Sequence, residues 1–341
     1  MNIANINLDD EVLIIAEIGN NHLGSLELAF EHILQAKESG ADIAKFQLII
    51  ADNVVSKRQQ SYKHVQNHLM ETQHDRWSRI SFNYKQMEQV KAYCDLVGIE
   101  FMCTPFCLES LDWVAENCNR IKIASSDSTW EKFVVSAKLK GKQVLISTGV
   151  MTLDELDSIS YNLDEQDVIM HCVSEYPVNT DSAHLGKIDF LRNNYDMHVG
   201  YSDHTQGMHA SMIAATKGVY CIEKHFIVSN KIPAGDRMVS STPLEISDFS
   251  QYLDCLDNNP AGHWRESDIV NKELFERSIY AKSELCAGSI VRESDLVMLR
   301  PFENEGFGSN EVKDVIGREL LADIKAGQLI IDEHLKSRTP Q

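Results

Sequence analysis

Short apolar runs alternate with amphipathic stretches of helical length from the start of the chain to about residue 257. This alternation constrains the fold most, because it is typical of repeated βα units around a parallel sheet. Eight such strands predict a closed (β/α)8, or TIM, barrel, whose usual size of about 250 residues fits this span. An open doubly wound sheet is the alternative, but no GxGxxG follows the first strand to support it. The eight predicted strands are VLIIAEI (12–18), DIAKFQL (42–48), IEFMC (99–103), IKIA (121–124), QVLIS (143–147), DVIMHC (167–172), HVGYS (198–202) and VYCIEKHF (219–226).

Two regions depart from this pattern. A polar segment from about 51 to 83 follows the second strand and is too long for an ordinary βα connection, so it predicts a lid or a partly helical insertion. After about residue 260, short strands and turns take over, and AGSIVRESDL (287–296) is echoed by AGQLIIDEHL (326–335). This weak repeat predicts a small pseudo-symmetric β-rich domain. We therefore expect a barrel domain over 1–265, a linker over 266–278 and the β-rich domain over 279–341.

Charge and composition narrow the possible functions. The formal net charge of -19 argues against binding nucleic acid or an anionic membrane through bulk electrostatics, so a phosphate-bearing ligand needs a local positive pocket. The opening residues, MNIANINLDDEVLII, lack the pattern of a secretory signal, and no apolar run approaches the length of a membrane span. The eight cysteines form no CxxC pair, and we expect all of them to be reduced core thiols. These features predict a cytoplasmic protein.

Polar side chains recur where the predicted strands end. In a closed parallel barrel, functional groups lie at the carboxyl ends of the strands, so polar residues there are more informative than elsewhere. A single serine or threonine at such a place can instead cap a turn or helix, and His171 can be an ordinary core histidine. The strand-end set comprises Glu17, Lys45, Gln47, Thr104, Lys122, Ser125, Ser147, Thr148, His171, Ser174, Tyr176, Ser202, His204, Glu223 and His225.

Strand alternation predicts which of these side chains face the barrel interior. Residues two apart share a face, so Lys45 and Gln47 can point inward, and the outward isoleucines around Lys122 leave that lysine inward. Two ammonium groups inside a barrel are costly unless an anion meets them. That anion can be a phosphate or carboxylate ligand, or a structural partner such as Glu17 or Glu223.

Two histidines suggest a metal site. His204 and His225 follow adjacent predicted strands and can converge on one divalent ion that keeps open positions for substrate. Neither HExxH nor clustered cysteines point to structural zinc.

Short motifs surround the strand-end residues of the barrel, namely AEIGNNHLGS (16–25), KFQ (45–47), TPF (104–106), KIASSD (122–127), STGVMTLDE (147–155), HCVSEYP (171–177), GYSDHT (200–205), EKHF (223–226) and PAGDRMVS (233–240). In these motifs and their order the chain resembles the N-acetylneuraminate (sialic acid) synthase family, which includes the legionaminic and pseudaminic acid synthases. The tail segments AGSIVRESDLVMLRP and IGRELLADIKAGQLI resemble the antifreeze-like (SAF, β-clip) domain that follows the barrel in those synthases.

The resemblance implies a transferase that condenses phosphoenolpyruvate with an N-acylated hexosamine, giving a nine-carbon 2-keto sugar acid and phosphate. His204 and His225 would bind Mn²⁺ or Mg²⁺, which would polarise the sugar aldehyde. Phosphoenolpyruvate would be held by Lys45, Thr104, Lys122, Ser125 and Ser202, whereas Glu17, Gln47, Ser174, Tyr176 and Asp236 would complete the substrate site.

Arg300 and Asp127 carry further implications. Arg300 matches an arginine that such enzymes insert into the partner subunit's barrel to meet the sugar's acyl group, which implies a domain-swapped homodimer. Asp127 stands where the family has a glutamate linked to proton transfer, so its carboxylate lies about 1.5 Å further back. Ser174, PAGD and RPF also differ from the usual residues, which favours an altered sugar substrate over lost activity.

Two other functions remain open at this point. A lysine on a barrel strand also serves Schiff-base aldolases or lyases of keto sugar acids. A non-catalytic carbohydrate-binding relative is the third hypothesis. Within the first hypothesis, N-acetylmannosamine, its 6-phosphate and a diacetamido trideoxy hexose all remain compatible with the motifs.

Overall fold

In the computed structural model, which describes residues 12–58, 62–63, 70–256 and 266–337, eight parallel strands close into a barrel. Each lies within two residues of its predicted limits, so the barrel prediction is confirmed. The strands in chain order are β1 (Leu13–Gly19), β2 (Ile43–Leu48), the hairpin strands β3 (Tyr62–Lys63) and β4 (Met70–Glu71), β5 (Glu100–Pro105), β6 (Arg120–Ile123), β7 (Gln143–Ser147), β8 (Val168–Cys172), β9 (His198–Asp203) and β10 (Cys221–His225). Around the barrel the order is β1, β10, β9, β8, β7, β6, β5, β2 and back to β1.

The helices begin and end at residues suited to those positions. Asn83 accepts from the Gln86 backbone N–H while the Gln86 side chain accepts from the Asn83 N–H, a capping box that starts α4. Gly98 ends the same helix with φ of 72°, in the left-handed region that glycine adopts without strain. The helices of this unit are α1 (Leu26–Glu38), α2 (Ala51–Val54), α3 (Gln73–Ile80), α4 (Tyr84–Val97), α5 (Leu108–Asn117), α6 (Glu131–Lys138), α7 (Leu153–Ser160), α8 (Gly186–Asn194), α9 (His209–Thr216) and α10 (Pro243–Asp254).

Alternate residues of the barrel strands enter two different cores. Ala44 and Phe46 of β2 join the large cluster between strands and helices, whereas Ile43 joins a smaller cluster with Met102 and Leu145. The smaller cluster draws on alternate strand positions, as the filling of a closed barrel does. Lys45 shares the parity of Ile43, which confirms the predicted inward orientation of this lysine.

The polar segment after β2 contains helices and a hairpin. Among the described residues, α2 and α3 provide the predicted helical part, and β3 pairs antiparallel with β4. Its role as a lid stays a prediction.

The chain divides into two compact units, residues 1–258 and 259–341. The second contains α11 (Glu266–Phe275), β11 (Ser278–Ala281), β12 (Leu296–Leu299) and α12 (Val312–Val315). Its two echoing segments fold alike: Gly288 and Gly327 both have positive φ, and a 3-10 turn follows each, at Glu293–Asp295 and Asp332–His334. The predicted linker range opens with α11, and the exact domain limits stay a prediction. The core of this unit is formed by Ile279, Ala281, Val291, Leu296, Val315, Leu320, Ile324, Ile330 and Leu335.

The cysteine prediction is wrong for two residues. All eight thiols are free and six are buried, but Cys255 and Cys286 are exposed. Cys255 caps the carboxyl end of α10, and Cys286 lies in a turn where its carbonyl accepts from Ser289. One lies at the end of a helix and the other in a turn, and side chains at such positions are often exposed to solvent. No helix in the described ranges has the length and apolar character needed to cross a membrane.

Candidate active site

A cavity of about 510 Å³ lies at the carboxyl ends of the barrel strands; we call it the rim cavity. Its walls come from residues that are distant in sequence and meet because parallel strands end at one rim. Twelve of the predicted site residues line it, namely Glu17, Lys45, Gln47, Thr104, Lys122, Ser125, Ser174, Tyr176, Ser202, His204, His225 and Asp236.

Two lysines and two glutamates form a buried ionic cluster at the base of the rim cavity. Lys45 Nζ lies 2.8 Å from Glu17 Oε2 and 3.6 Å from Glu223 Oε1. Lys122 Nζ lies 2.8 Å from Glu223 Oε2, so Glu223 serves both lysines. All four side chains are at least nine-tenths buried, and each charge is therefore compensated within the cluster.

Neutral polar side chains extend the cluster. Lys45 Nζ donates to Thr104 Oγ1 at 3.1 Å, and Ser202 Oγ donates to Glu223 Oε1 at 3.2 Å. Gln47 Nε2 donates to Glu17 Oε1 at 2.7 Å. These bonds fix the orientation of the charged groups before any ligand arrives.

The environment shifts the pKa values of the two glutamates in opposite directions. Burial raises the pKa of Glu17, and the nearby Glu223 carboxylate adds to this while Lys45 opposes it. Burial would also raise the pKa of Glu223, but Lys122 and Lys45 outweigh burial and lower that pKa to about 2. Glu223 is therefore ionised near neutral pH, and Glu17 is the carboxyl group better able to hold a proton.

The two histidines also line the rim cavity. The ring centroids of His204 and His225 are 5.5 Å apart, and the Tyr176 ring stacks on His204 at 4.1 Å. His204 Nδ1 lies 2.9 Å from the Val173 carbonyl oxygen, so Nδ1 carries the proton and Nε2 keeps its lone pair. His225 Nδ1 lies 3.9 Å from Asp236 Oδ2.

This pair has the chemistry of an incomplete metal site. A histidine that binds a metal through one nitrogen usually donates its other N–H to a carbonyl or carboxylate, as His204 does. Within the described ranges the buried Nδ1 of His225 has no hydrogen-bond partner, so this nitrogen is free to accept a hydrogen bond or to bind an ion. Burial lowers the pKa of His225, which favours the neutral ring that a metal requires. Within the described part of the chain, no three or more His, Cys, Asp and Glu side chains are grouped to hold an ion.

Asp127 lies beside the rim cavity and does not line it. It lines a second cavity of about 720 Å³, the side cavity, together with Arg58 and Val54. Trp77 and Phe106 line both cavities, which are therefore neighbours. Burial raises the pKa of Asp127, while a hydrogen bond from the Ser126 hydroxyl opposes the shift.

Arg300 belongs to the second unit. Its Nε donates to the Phe275 carbonyl oxygen at 2.7 Å, and its guanidinium carbon lies 5.9 Å from the Phe275 ring centroid. The side chain is exposed, and its predicted insertion into a partner's barrel stays a prediction.

His171 takes the ordinary structural role. Its Nε2 lies 2.8 Å from the Ala183 carbonyl oxygen, and its ring stacks on Tyr201. Burial lowers the pKa of His171 to about 4, so the ring is neutral near pH 7.

Sequence reasoning misses the contribution of α3. Gln73, Arg76 and Trp77 all line the rim cavity. They belong to the polar segment predicted as a lid. An arginine beside a tryptophan in such a segment is the sequence signal that could have identified them as candidate site residues. The segment carries no strand periodicity, so the sequence alone does not place them over the barrel.

Comparison with known proteins agrees with the architecture. The NeuB family pattern matches residues 32–258, and the SAF domain pattern matches residues 276–336. The solved structure of an N-acetylneuraminic acid (sialic acid) synthetase from Leptospira borgpetersenii, in complex with citrate, superposes with a TM-score of 0.67 at 25% identity. The superposition covers 80% of this chain and 94% of that one.

Two curated relatives are similar over almost their whole length. The chain is 31% identical to the N,N'-diacetyllegionaminic acid synthase of Legionella pneumophila, covering 95% of this chain and 94% of the relative. It is 28% identical to a pseudaminic acid synthase of Campylobacter jejuni, covering 97% and 98%.

Proposed function

This chain belongs to the NeuB family and contains a SAF domain, and from that premise we propose that it is a nonulosonic acid synthase. Such a synthase condenses phosphoenolpyruvate with an N-acylated hexosamine to give a nine-carbon 2-keto sugar acid and phosphate. The observation that supports this most is the buried cluster in which Lys45 and Lys122 share Glu223 at the strand ends. Buried ammonium groups that line a cavity suit an anionic ligand.

Phosphoenolpyruvate binds, in this proposal, above the lysine side of the rim cavity. Lys45 and Lys122 meet its phosphate and carboxylate, the hydroxyls of Thr104 and Ser125 donate to the remaining oxygens, and Ser202 does so once its O–H turns away from Glu223. The hydrogen bonds these groups already make hold them in place, which lowers the entropy cost of binding.

The sugar occupies the rest of the cavity. Glu17, Gln47, Ser174, Tyr176 and Asp236 also line the rim cavity and offer carboxylate, amide and hydroxyl groups to sugar hydroxyls. The raised pKa of Glu17 suits it to hold a proton near the aldehyde oxygen.

The reaction forms one carbon–carbon bond and one carbon–oxygen bond, and it breaks the carbon–oxygen bond between C2 and the phosphate. C3 of phosphoenolpyruvate attacks the aldehyde carbon of the open-chain sugar, and the aldehyde oxygen takes up a proton. Water adds at C2 and gives up its protons as the 2-keto group forms, and phosphate leaves with the bridging oxygen. Asp127 takes the place of the family glutamate linked to proton transfer, and from the side cavity it acts through a bridging water.

His204 and His225 would hold the Mn²⁺ or Mg²⁺ ion. When bound, the ion supplies Lewis-acid polarisation of the aldehyde carbonyl. The Val173 carbonyl orients His204, and the stacked Tyr176 ring limits rotation of its imidazole.

We expect phosphate release from phosphoenolpyruvate only when a sugar and Mn²⁺ are both present. The assay uses N-acetylmannosamine, its 6-phosphate and a diacetamido trideoxy hexose in turn, each with EDTA and with EDTA followed by excess Mn²⁺. Activity that persists in EDTA and is trapped by borohydride would indicate a Schiff-base aldolase instead. Absence of metal-dependent phosphate release with every sugar would leave a carbohydrate-binding protein.

Arg300→Ala is expected to raise the KM for the sugar by roughly tenfold or more, because a charge-assisted hydrogen bond contributes about 1.5–3 kcal/mol. The KM for phosphoenolpyruvate should change little. Arg277→Ala is the matched control, since Arg277 is also an exposed arginine of the second unit. Equal effects of Arg300→Ala on both substrates would contradict the proposed swapped homodimer. Light scattering measures the mass of the assembly directly.

A further inference from the structure

The charged side chains of the buried cluster do not by themselves neutralise a substrate that carries three negative charges. Its buried cluster contains two ammonium groups, on Lys45 and Lys122, and two carboxylates, on Glu17 and Glu223. With all four groups ionised, the cluster has no net charge, and the whole chain carries -19. Phosphoenolpyruvate brings about −2.5 to −3 at neutral pH, from a phosphate monoester and a carboxylate. Even with a proton on Glu17 the cluster carries only one net positive charge, so a further cation at the cavity would strengthen the binding of phosphoenolpyruvate when no metal ion is bound.

Arg76 is the arginine that lines the rim cavity. It projects from α3, and its side chain forms no ion pair or hydrogen bond with the described residues. Its guanidinium carbon lies 5.1 Å from the Trp77 ring centroid, a cation–π contact that leaves the N–H groups available. Arg79, one turn further along α3, is by contrast paired with Glu71 at 2.9 Å.

The position of α3 places Arg76 near the phosphoenolpyruvate side. Trp77 lines both the rim cavity and the side cavity. Both cavities also share Phe106, which follows β5, and Ser126, which follows β6. The same two strands carry Thr104 and Lys122, which we assigned to phosphoenolpyruvate.

We propose that Arg76 is a further phosphoenolpyruvate-binding residue, supplied by α3 and contributing the positive charge that the buried cluster lacks. This inference rests on the proposed function. The planar guanidinium offers paired N–H donors that match a phosphate or carboxylate, which an ammonium group does not.

The test compares Arg76→Met with Arg79→Met, two changes of the same kind on one helix. Calorimetric titration with phosphoenolpyruvate alone should show a Kd roughly 10- to 100-fold higher for Arg76→Met than for wild type. Arg79→Met should bind within about twofold of wild type, because its surface pair contributes little. Arg76→Lys should recover part of the affinity, and the salt dependence of binding should be weaker in Arg76→Met. Melting temperature and circular dichroism check that both variants fold.

Each alternative result has a distinct meaning. Wild-type affinity in Arg76→Met, or equal weakening in both methionine variants, would overturn the role of Arg76 and leave the synthase assignment standing. A higher KM for the sugar with an unchanged Kd for phosphoenolpyruvate would also overturn it. If the wild type neither binds phosphoenolpyruvate nor releases phosphate with any sugar, the proposed function fails as well.

Discussion

Glu223→Gln is expected to lower the free energy of unfolding by about 3–5 kcal/mol and to reduce turnover by on the order of 10²- to 10³-fold. Glu223 lies 2.8 Å from Lys122 and 3.6 Å from Lys45, and both lysines are about 97% buried. The amide keeps the shape of the side chain but removes the charge that stabilises two ammonium groups. One carboxylate, that of Glu17, is then left for both lysines, and the lysines lose the geometry that would receive an anion.

Asp95→Asn is the control for this substitution. Asp95 pairs with Lys91 at 2.7 Å on the surface of α4, so the same chemical change there should cost less than about 1 kcal/mol. Urea denaturation measures the stability of both variants, and phosphate release measures turnover. Equal stability losses in the two variants would show that the buried cluster is not the ionic centre described above.

The sequence predicts the barrel rim well because parity and strand ends are local properties. Lys45 lies between Ala44 and Phe46, two residues suited to pack against helices, so alternation alone turns the lysine inward. Parallel strands then bring Lys122, from a distant part of the chain, to the same rim. Eight well-separated apolar runs thus predict both the fold and the group of residues that meets in it.

The details of pairing depend on distances that no sequence pattern gives. Either lysine could have paired with either glutamate, and only the barrel geometry makes Glu223 common to both. The place of Arg76 at the rim cavity cannot be predicted from the sequence, because tertiary packing sets the position of the insertion that contains it. Asp127 is a similar case. Its neighbours in sequence place it at the rim, but its side chain, one methylene shorter than that of glutamate, lines the side cavity.

The histidine pair leads to the second large prediction, that His204→Ala and His225→Ala each abolish metal-dependent turnover. Each ring supplies one of the two imidazoles that the described residues bring to the rim cavity, so the loss of either leaves a single nitrogen ligand among them. Titration of the wild type with Mn²⁺ alone should give one binding event, and this event should be lost or weakened at least about tenfold in either variant. His209→Ala is the control, since His209 is exposed at the start of α9 and should leave both Mn²⁺ binding and turnover unchanged.

The two alanine variants should differ in stability, and that difference separates a metal-binding role from a packing role. His204 stacks under Tyr176, so its removal should cost about 0.5–1.5 kcal/mol of aromatic contact. His225 has a buried Nδ1 that finds no hydrogen-bond partner in the part of the chain that the structure describes, so its removal relieves an unsatisfied polar atom and offsets part of the lost packing. Turnover that follows the stability of each variant would support packing alone. Turnover lost in both variants, with Mn²⁺ binding lost alongside it and the fold retained, would support the histidines as metal ligands.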